Sequence, residues 1–251
     1  MSFSKMQRIA VQRETLLYLE RNKHKFDSSK TRKLPFMEFN PAWKTFPSTN
    51  IEVLPMDTLE AVVHLQEKHD ARFSFLVFAN AYHPGGGYKN GASAQEESIC
   101  RRTNLVPCIN TVRYPIPEFG CIHIKNLYII RDTEERNYEY FKEPHVCNCI
   151  LAAAYNHPPL LDETHILPEY RVKTRRKIHG FLNCLLANGD TNMVLGAFGC
   201  GAFANPPEDI AHLFVEILNS TNYKNRFENV YFAVIATKWK RNYQIFKRKI
   251  G

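Results

Sequence analysis

The chain has 251 residues, of which 44% are hydrophobic and 23% charged, and its net charge is +8. This composition excludes a disordered chain and a small disulfide scaffold, and the length suits one large domain or at most two small ones. No apolar run approaches the roughly 20 residues that cross a bilayer, and the basic N-terminus does not resemble a secretory signal. We therefore expect a cytoplasmic protein with no membrane partner, with nuclear entry open if the source or its host cell is eukaryotic.

Positive charge is concentrated at the two ends of the chain. Residues 1–33 have a net charge of +6, residues 238–251 another +6, and the middle carries −4. A further basic cluster falls in one predicted helix: Arg171, Lys173, Arg175, Arg176 and Lys177. This distribution suits a polyanionic partner, and solvated helix faces are the alternative. No interleaved aromatic motif accompanies it, so no sequence-specific nucleic-acid partner is predicted.

The first half of the chain predicts helices and strands in alternation. In order, these are an amphipathic helix at residues 6–24, an extended arm with prolines and aromatics at 25–50, a strand at 51–54, a helix at 58–69, a strand at 73–79 and a helix from Ser93 that fades before Pro107. Asp57 is a candidate cap for the helix at 58–69. The run at 73–79 is continuously apolar, which is typical of a strand covered on both faces.

The second half continues this alternation. In order, we expect a strand at 121–130, a loop at 132–144, a short helix at 146–155, a proline-bearing excursion at 156–168, a basic helix at 170–187, a strand at 193–198, a helix at 206–218, a strand at 230–236 and a basic C-terminal helix. Strands that alternate with helices predict a layered α/β domain. Residues 1–50 are predicted to be a helix and arm packed on the body, and residues 51–251 to be one structural unit.

Seven cysteines show no repeated C-x-x-C spacing and are predicted to be reduced and mostly buried. The group that most resembles a metal site is His145, Cys147 and Cys149. If residues 146–155 form a helix, side chains two residues apart face opposite sides of it. No metal site is therefore predicted.

The first glycine-rich loop follows the strand at 73–79 and contains Gly85, Gly86 and Gly87 in succession. Three consecutive glycines are unfavourable for chain entropy and add no packing. They therefore indicate a backbone that lies directly against a ligand, with a flexible surface loop as the alternative.

Two glutamates follow this loop near the start of a predicted helix. Ser93 and Glu96 fit a capping box, in which Glu96 reaches back to the Ser93 amide. Glu97 lies about 100° further round the helix. It either favours the helix dipole or points into the crevice as a general acid or base.

The second glycine-rich loop follows the strand at 193–198 and contains these residues: Gly199, Cys200, Gly201, Ala202 and Phe203. Asn205 is a candidate cap for the next helix, so strand, loop and helix N-terminus form a natural phosphate cradle. Because both loops leave strands, they should meet in one crevice at the strand ends. The expected ligand is a nucleotide diphosphate, with acid–base chemistry near one end.

The triple glycine, seven residues and then Gln95, Glu96 and Glu97 resemble the GGG…QEE pattern of poly(ADP-ribose) glycohydrolases, a branch of the macrodomain superfamily. Residues 78–80 and 199–203 resemble that family's flanking pieces, and the order is most similar to the microbial-type members over roughly residues 6–246. The resemblance implies a three-layer α/β/α macrodomain with a central mixed sheet and a helical N-terminal extension. It implies hydrolysis of ribose–ribose O-glycosidic bonds in poly(ADP-ribose) to release ADP-ribose, without metal or cofactor.

The resemblance also assigns roles by position. Glu97 is the catalytic acid/base, Glu96 fixes the ribose that carries the leaving oxygen, and Asn80 contacts the ribose at the reacting carbon. The remaining implied substrate-binding residues lie in the two loops and beside the glutamates: Gly85, Gly86, Gly87, Gln95, Gly199, Cys200, Gly201, Ala202 and Phe203. In this assignment the triple glycine packs on ribose and diphosphate, and residues 199–203 wrap the diphosphate and stack on the sugar.

Adjacent glutamates on one helix cannot straddle a sugar ring as the paired carboxylates of ordinary glycosidases do, about 5–10 Å apart. Glu97 alone is therefore expected to protonate the leaving oxygen and then to activate water. The helix N-terminus lowers the pKa of such a group, whereas burial under substrate and nearby diphosphate raise it.

Two alternative functions remain. One is a mono-ADP-ribosyl hydrolase acting on ADP-ribosylated proteins, and the other is a non-catalytic ADP-ribose-binding macrodomain. Retention of both glutamates favours an enzyme over a reader.

Overall fold

The computed structural model describes residues 3–237 and 241–251; Lys238 and Lys240 of the predicted basic C-terminus lie outside the described residues. Its strands are β1 (Lys30–Leu34), β2 (Asn50–Leu54), β3 (Ser74–Phe78), β4 (Cys121–Arg131), β5 (Tyr140–Ala152), β6 (Leu160–Asp162), β7 (His165–Ile166), β8 (Asn192–Leu195) and β9 (Asn229–Ala233). Seven of them form one sheet in the order β1-β4-β5-β3-β8-β9-β2, and β6 and β7 form a separate hairpin. The sheet is mixed, because β1, β4 and β5 pair antiparallel and the remaining pairs are parallel.

Helices cover both faces of this sheet. They are α1 (Lys5–Arg21), α2 (Thr58–His69), α3 (Gln95–Arg102), α4 (Leu105–Ile109), α5 (Pro168–Ala187), α6 (Pro207–Leu218) and α7 (Asn242–Ile250). The core on one face is built from α2, α3 and α4, and that on the other from α5, α6 and α7. Within the described residues, none of these helices is both long enough and apolar enough to cross a membrane.

The residues of the parallel strands alternate between the two cores. In β3, Leu76 packs with α5 and α6, whereas its neighbours Phe75 and Val77 pack with α2 and α3. Strand β9 repeats the pattern, with Phe232 on the first side and Tyr231 on the second. Strands buried on both faces read as continuous apolar runs, which is why they were recognisable in the sequence. The predicted three-layer α/β/α arrangement with a mixed sheet is confirmed.

The predicted short helix at 146–155 is wrong, because residues 146–152 belong to β5. Its last seven residues are almost wholly apolar and pair with β3 in parallel and with β4 in antiparallel register. The geometric argument about Cys147 and Cys149 therefore also fails, since residues two apart in a strand face the same side. Both thiols lie among apolar side chains in the core, and burial raises their pKa values. All seven cysteines are unpaired and buried.

Two other segments are more regular than predicted. The predicted loop at 132–144 contains a 3₁₀ turn, Glu134–Arg136, and the first residues of β5. The predicted arm at 25–50 contributes β1, which pairs antiparallel with β4 at the edge of the central sheet. The sequence KTRKL of this strand is mostly charged, as is common on sheet edges, so apolar periodicity does not reveal it. The division of the chain at residue 50 stays a prediction.

Candidate active site

A cavity of about 750 Å³ opens where the parallel strands end. It is lined by Asn80 after β3, by Ala197 and Gly199 after β8, and by Val234 and Ile235 after β9. Carboxyl ends of parallel strands are the usual ligand site of α/β sheets, and this volume suits a nucleotide-sized ligand. Both glycine-rich loops therefore meet in one crevice, as the sequence predicted.

Glu96 does not form the predicted capping box. Helix α3 begins at Gln95, its cap residue is Ala94, and no side chain caps it. The Glu96 carboxylate turns instead toward the sheet, where Oε2 accepts from Asn80 N (2.8 Å) and Oε1 from Gly85 N (3.1 Å). The side chain is only 4% exposed. Glu96 thus ties the segment after β3 to the triple glycine, which local sequence rules cannot reveal.

Burial raises the pKa of Glu96 from its ordinary value of 4.5 to about 8. The nearby charge of Glu97 acts in the same direction, whereas the two N–H groups from Asn80 and Gly85 lower it. Folding therefore binds a proton more tightly at this position. This contribution to stability is present below about pH 4.5 and is lost as the pH rises toward the folded-state value.

The substitution Glu96→Gln tests this linkage. As the pH rises from about 5 to about 8, we expect the unfolding free energy of the wild type to fall relative to that of the variant. The difference should change by on the order of 1–4 kcal/mol, because one pKa unit corresponds to about 1.4 kcal/mol. Urea unfolding at both pH values measures it, with the exposed Glu67→Gln on α2 as a control that should follow the wild type. A stability difference that does not vary with pH would refute the raised pKa.

Glu97 points into the cavity from the first turn of α3. Its Oε1 accepts from Gly87 N at 2.8 Å, while its Oε2 is buried and has no hydrogen-bond partner among the described residues. Buried polar atoms are nearly always paired, so an unpartnered carboxylate oxygen on a residue that lines a cavity indicates a group reserved for a ligand. The structure thus favours the second of the two roles that the sequence left open for Glu97.

The triple glycine lies directly against these carboxylates. Gly85 and Gly86 have φ of +74° and +58°, a region that glycine adopts without strain. A Cβ on Gly86 would come within 2.5 Å of Glu97 Oε1. Gly86 is therefore required by the approach of the protein's own carboxylates, whereas a Cβ on Gly85 would meet the side chains of Tyr88 and Cys100. Gly86 and Gly87 also line the cavity. Gly85 is buried behind that surface.

Asn80 and Gln95 hold the first loop in place. The Asn80 side-chain oxygen accepts from Tyr82 N and His83 N, both at 2.9 Å, and none of the described residues accepts from its Nδ2. Gln95 lines the cavity, but its amide group bonds to the protein: Oε1 accepts from Phe78 N at 2.7 Å, and Nε2 donates to α2 and β3. Asn80 therefore keeps a donor for a ligand, whereas Gln95 anchors α3 to the sheet.

The second loop presents unpaired backbone donors. Among the described residues, none accepts a hydrogen bond from the amides of Gly201, Ala202 or Phe203, and all three residues line the cavity. Consecutive free N–H groups in a loop form an anion-binding concavity. This loop is thus suited to a diphosphate, whereas Cys200 turns its side chain into the core behind it.

Asn205 shapes this loop, although it is not the predicted helix cap. Helix α6 begins at Pro207 with Pro206 as its cap residue. The Asn205 Nδ2 instead donates to the carbonyls of Tyr155 (2.8 Å), Gly199 (3.2 Å) and Phe203 (3.1 Å). The side chain therefore closes the loop on itself.

Some cavity residues were not predicted from the sequence. They are Ala154 after β5, Ile235 after β9 and Asn242 on α7, together with Phe78 at the end of β3. Ile235 is 59% exposed despite its apolar side chain, and half-buried Phe203 contributes another apolar wall. The sequence could indicate these residues only through their position near the ends of parallel strands, and this position is known only once the strand order is known.

Helix α1 supports α3 from behind. A helix as short as α3 ends with carbonyl groups that lack partners within it. Thr15 Oγ1 donates to Arg101 O at 2.8 Å, and Gln12 Nε2 donates to Cys100 O at 3.2 Å. Gly91 allows the contact, because a Cβ there would lie 2.3 Å from Lys5 O.

Thr15→Val should destabilise the protein by about 1–3 kcal/mol, because a side chain of the same shape leaves the buried Arg101 carbonyl without its partner. Thr15→Ser keeps the hydroxyl and should recover most of that loss. Chemical unfolding of the three proteins measures the effect. Equal stability of wild type and Thr15→Val would mean that water replaces the threonine hydroxyl and that α1 does not support α3 in this way.

Comparisons with known proteins agree with this geometry. Residues 6–127 match the family model of the microbial-type PARG catalytic domain. A search of curated proteins finds no match. The structure is similar to that of poly(ADP-ribose) glycohydrolase (PARG) from Thermomonospora curvata, with 25% identity and a TM-score of 0.82 over 96% of this chain and 98% of that chain.

Two ligand complexes are also similar. The Thermomonospora curvata enzyme bound to the inhibitor ADP-HPD has 25% identity and a TM-score of 0.79, with 96% of this chain and 98% of that chain covered. The PARG from Deinococcus radiodurans in complex with ADP-ribose has 28% identity and a TM-score of 0.67, with 80% and 84% covered. With the family match over residues 6–127, the shared fold and the paired glutamates beside a triple glycine, this chain is similar to the poly(ADP-ribose) glycohydrolases, and in particular to their microbial-type branch.

Proposed function

We propose that this protein binds ADP-ribose units in its cavity and hydrolyses the ribose–ribose O-glycosidic bond of poly(ADP-ribose), with Glu97 as the single acid/base. The observation that carries the proposal is that Glu97 lines the cavity while its buried Oε2 has no hydrogen-bond partner among the described residues. Residues 201–203, whose amides are free, line the same cavity. One part of the cavity therefore suits a diphosphate and another suits proton transfer.

Glu97 is the glutamate whose carboxylate can exchange a proton with a ligand. Both oxygens of Glu96 accept from backbone N–H groups. Oε2 of Glu97 accepts from no described residue. We therefore assign to Oε2 of Glu97 the proton that is transferred in the reaction.

In the first step, Glu97 donates this proton to the bridging oxygen as the bond from the ribose carbon to that oxygen breaks. An oxocarbenium ion forms, and the leaving ribose carries the proton away as a hydroxyl. Glu97, now ionised, then takes a proton from a water molecule whose oxygen adds to the same carbon. The product is ADP-ribose with a free hydroxyl, and Glu97 returns to its protonated state.

Three further carboxylates line the cavity, those of Asp57, Glu134 and Glu135. Asp57 binds Arg102 at 2.9 Å and also caps α2, Glu134 binds Arg8 at 2.8 Å, and Glu135 is exposed. Glu96 and Glu97 are neighbours held by one loop, so they approach the sugar from the same side. We therefore assign both proton transfers to Glu97, in sequence.

Incubation with two substrates tests the proposed reaction. Poly(ADP-ribose) should yield free ADP-ribose, detected by chromatography, whereas a mono-ADP-ribosylated peptide should remain largely uncut. Preferential release from the peptide would assign the protein to the mono-ADP-ribosyl hydrolases. Binding of ADP-ribose with no cleavage of either substrate would make it a reader.

A further inference from the structure

Seven exposed cations lie on the edge strand β1 and on segments next to it, and we call this set the basic strip. Its members are Lys23, Lys25, Lys30, Arg32, Lys33, Arg113 and Lys125. Among the described residues, no carboxylate lies within ion-pair distance of any of them. The segment from residue 23 to residue 33 contains one acidic residue, Asp27.

The cations of the strip are brought together by the sheet. Lys30 lies opposite Lys125 in the antiparallel register of β1 and β4. Lys33 Nζ donates to the carbonyl of Arg113 at 2.8 Å, which joins β1 to the loop before β4. Adjacent like charges across two strands destabilise the fold. Charged residues on β1 protect a sheet edge, but this does not explain Arg113 and Lys125, which lie off the edge strand.

One end of the strip reaches the catalytic cavity. The loop that contains Arg113 continues to Ile116, whose N–H donates to the carbonyl of Ala81 at 2.8 Å. Ala81 follows Asn80, which lines the cavity beside the glutamates. A polymer that leaves the cavity across residues 80–83 therefore meets Arg113 first and then the cations of β1.

The basic cluster most visible in the sequence is different, because most of it is neutralised within the protein. On α5, Arg171 pairs with Asp209 at 2.7 Å and with Glu216 at 3.2 Å. Arg175 pairs with the same Glu216, and Lys173 pairs with an acid on its own helix. Three of the five cations of that cluster are therefore already compensated, in contrast to the strip.

We propose that the basic strip binds the diphosphate groups of poly(ADP-ribose) units next to the one held in the cavity. The inference rests on the proposed function, since it takes the polymer as substrate. The charge is complementary, because each unit adds two phosphates, and the strip holds several unpaired cations on both faces of the edge strand, next to the loop that reaches the cavity. Such contacts release counterions and weaken steeply with salt. The strip thus selects long polymer over free ADP-ribose.

The test removes four cations of the strip that donate no side-chain hydrogen bond to a described residue: Lys30→Gln, Arg32→Gln, Arg113→Gln and Lys125→Gln. The matched control removes four exposed cations elsewhere: Lys44→Gln, Lys68→Gln, Lys142→Gln and Lys224→Gln. Binding of long poly(ADP-ribose) and of free ADP-ribose is measured against salt for both, in a Glu97→Gln background that leaves the polymer uncut. Cleavage of polymer is measured with Glu97 intact.

We expect the strip variant to bind long polymer at least about tenfold more weakly at low salt. Its slope of log affinity against log salt should be smaller by about 2–3, since each phosphate contact on a single strand contributes about 0.7. The control should bind polymer as the parent does, and both should bind ADP-ribose unchanged. Thermal unfolding verifies that both variants are folded.

Equal polymer binding by the strip variant and the control would overturn the inference. A competition experiment could also overturn it. If single-stranded DNA of equal phosphate number displaces bound polymer as effectively as unlabelled polymer does, the strip is a general nucleic-acid surface. If the wild type does not cut polymer but the strip variant still loses polymer binding, the proposed reaction fails and the strip stands. Normal cleavage by the wild type without any effect of the strip variant refutes the strip alone.

Discussion

Glu97→Gln should still bind ADP-ribose and should lose hydrolysis of poly(ADP-ribose) by about 10²–10⁴-fold. Glutamine keeps the size of the side chain, and its amide oxygen can still accept from Gly87 N, as Oε1 does at 2.8 Å in the wild type. It has no proton to give to the leaving oxygen and cannot take one from water. Rates of ADP-ribose release measure the loss, and calorimetry with ADP-ribose measures retained binding.

Two further variants make this result specific. Glu67→Gln removes an exposed carboxylate from α2 and should cut polymer at the wild-type rate. Glu96→Gln keeps Glu97 but offers one acceptor to two amides, those of Asn80 and Gly85, so its activity should fall through a disturbed loop. If Glu97→Gln cleaves polymer at the wild-type rate, the single-glutamate mechanism is refuted, even if the fold is correct.

Gly201→Val should abolish ADP-ribose binding while the protein stays folded. A Cβ at Gly201 meets no atom within 4 Å, so the side chain extends into open space at the cavity. Substitutions at such surface positions usually change stability by less than about 0.5 kcal/mol. The branched side chain would, however, occupy the space beside the free amides that we assign to the diphosphate. Calorimetry and thermal unfolding measure the two properties separately.

Gly199→Val is the contrasting variant in the same loop. Gly199 has φ of +76°, and a Cβ there would lie 2.6 Å from both Ala154 Cβ and Asn205 Nδ2. Strain and overpacking together should cost about 3 kcal/mol or more, so this variant should unfold at a clearly lower temperature. If Gly201→Val binds ADP-ribose as the wild type does, the loop is not the diphosphate site. If it unfolds like Gly199→Val, the open space at Gly201 is refuted.

Most of the regular elements were predictable because their sequences carry local signals. The strands β3, β8 and β9 are apolar runs, and α2 is capped by Asp57, whose side chain accepts from Glu60 N. Segment β5 misled the prediction because an apolar run ending in three alanines suits a buried helix as well as a buried strand. Its pairing with β3 and β4 decided the outcome.

The site was located by sequence but explained only by the fold. The spacing of the triple glycine and the two glutamates, and the glycines of the second loop, predicted one crevice with a carboxylate and a phosphate cradle. The same local rules assigned Glu96 and Asn205 to helix caps, and both assignments are wrong. Each side chain instead bonds to backbone groups of more than one segment. Capping rules consider neighbours in the chain, so such contacts lie outside them.

The amino-acid sequence by itself determined the alternation of elements, the layered fold and the residues that meet at the strand ends, because hydrophobic periodicity and glycine loops are local properties. The tertiary structure decided which oxygen of the two glutamates is free, since the amides that occupy the other three come from Asn80, Gly85 and Gly87. The tertiary structure also decided which cations are unpaired. Arg171 and Arg175 of α5 form ion pairs with acids of α6. The cations of β1 instead lie next to Arg113 and Lys125, which are cations too. Charge compensation and hydrogen bonding depend on distances in space, and the folded chain alone sets these.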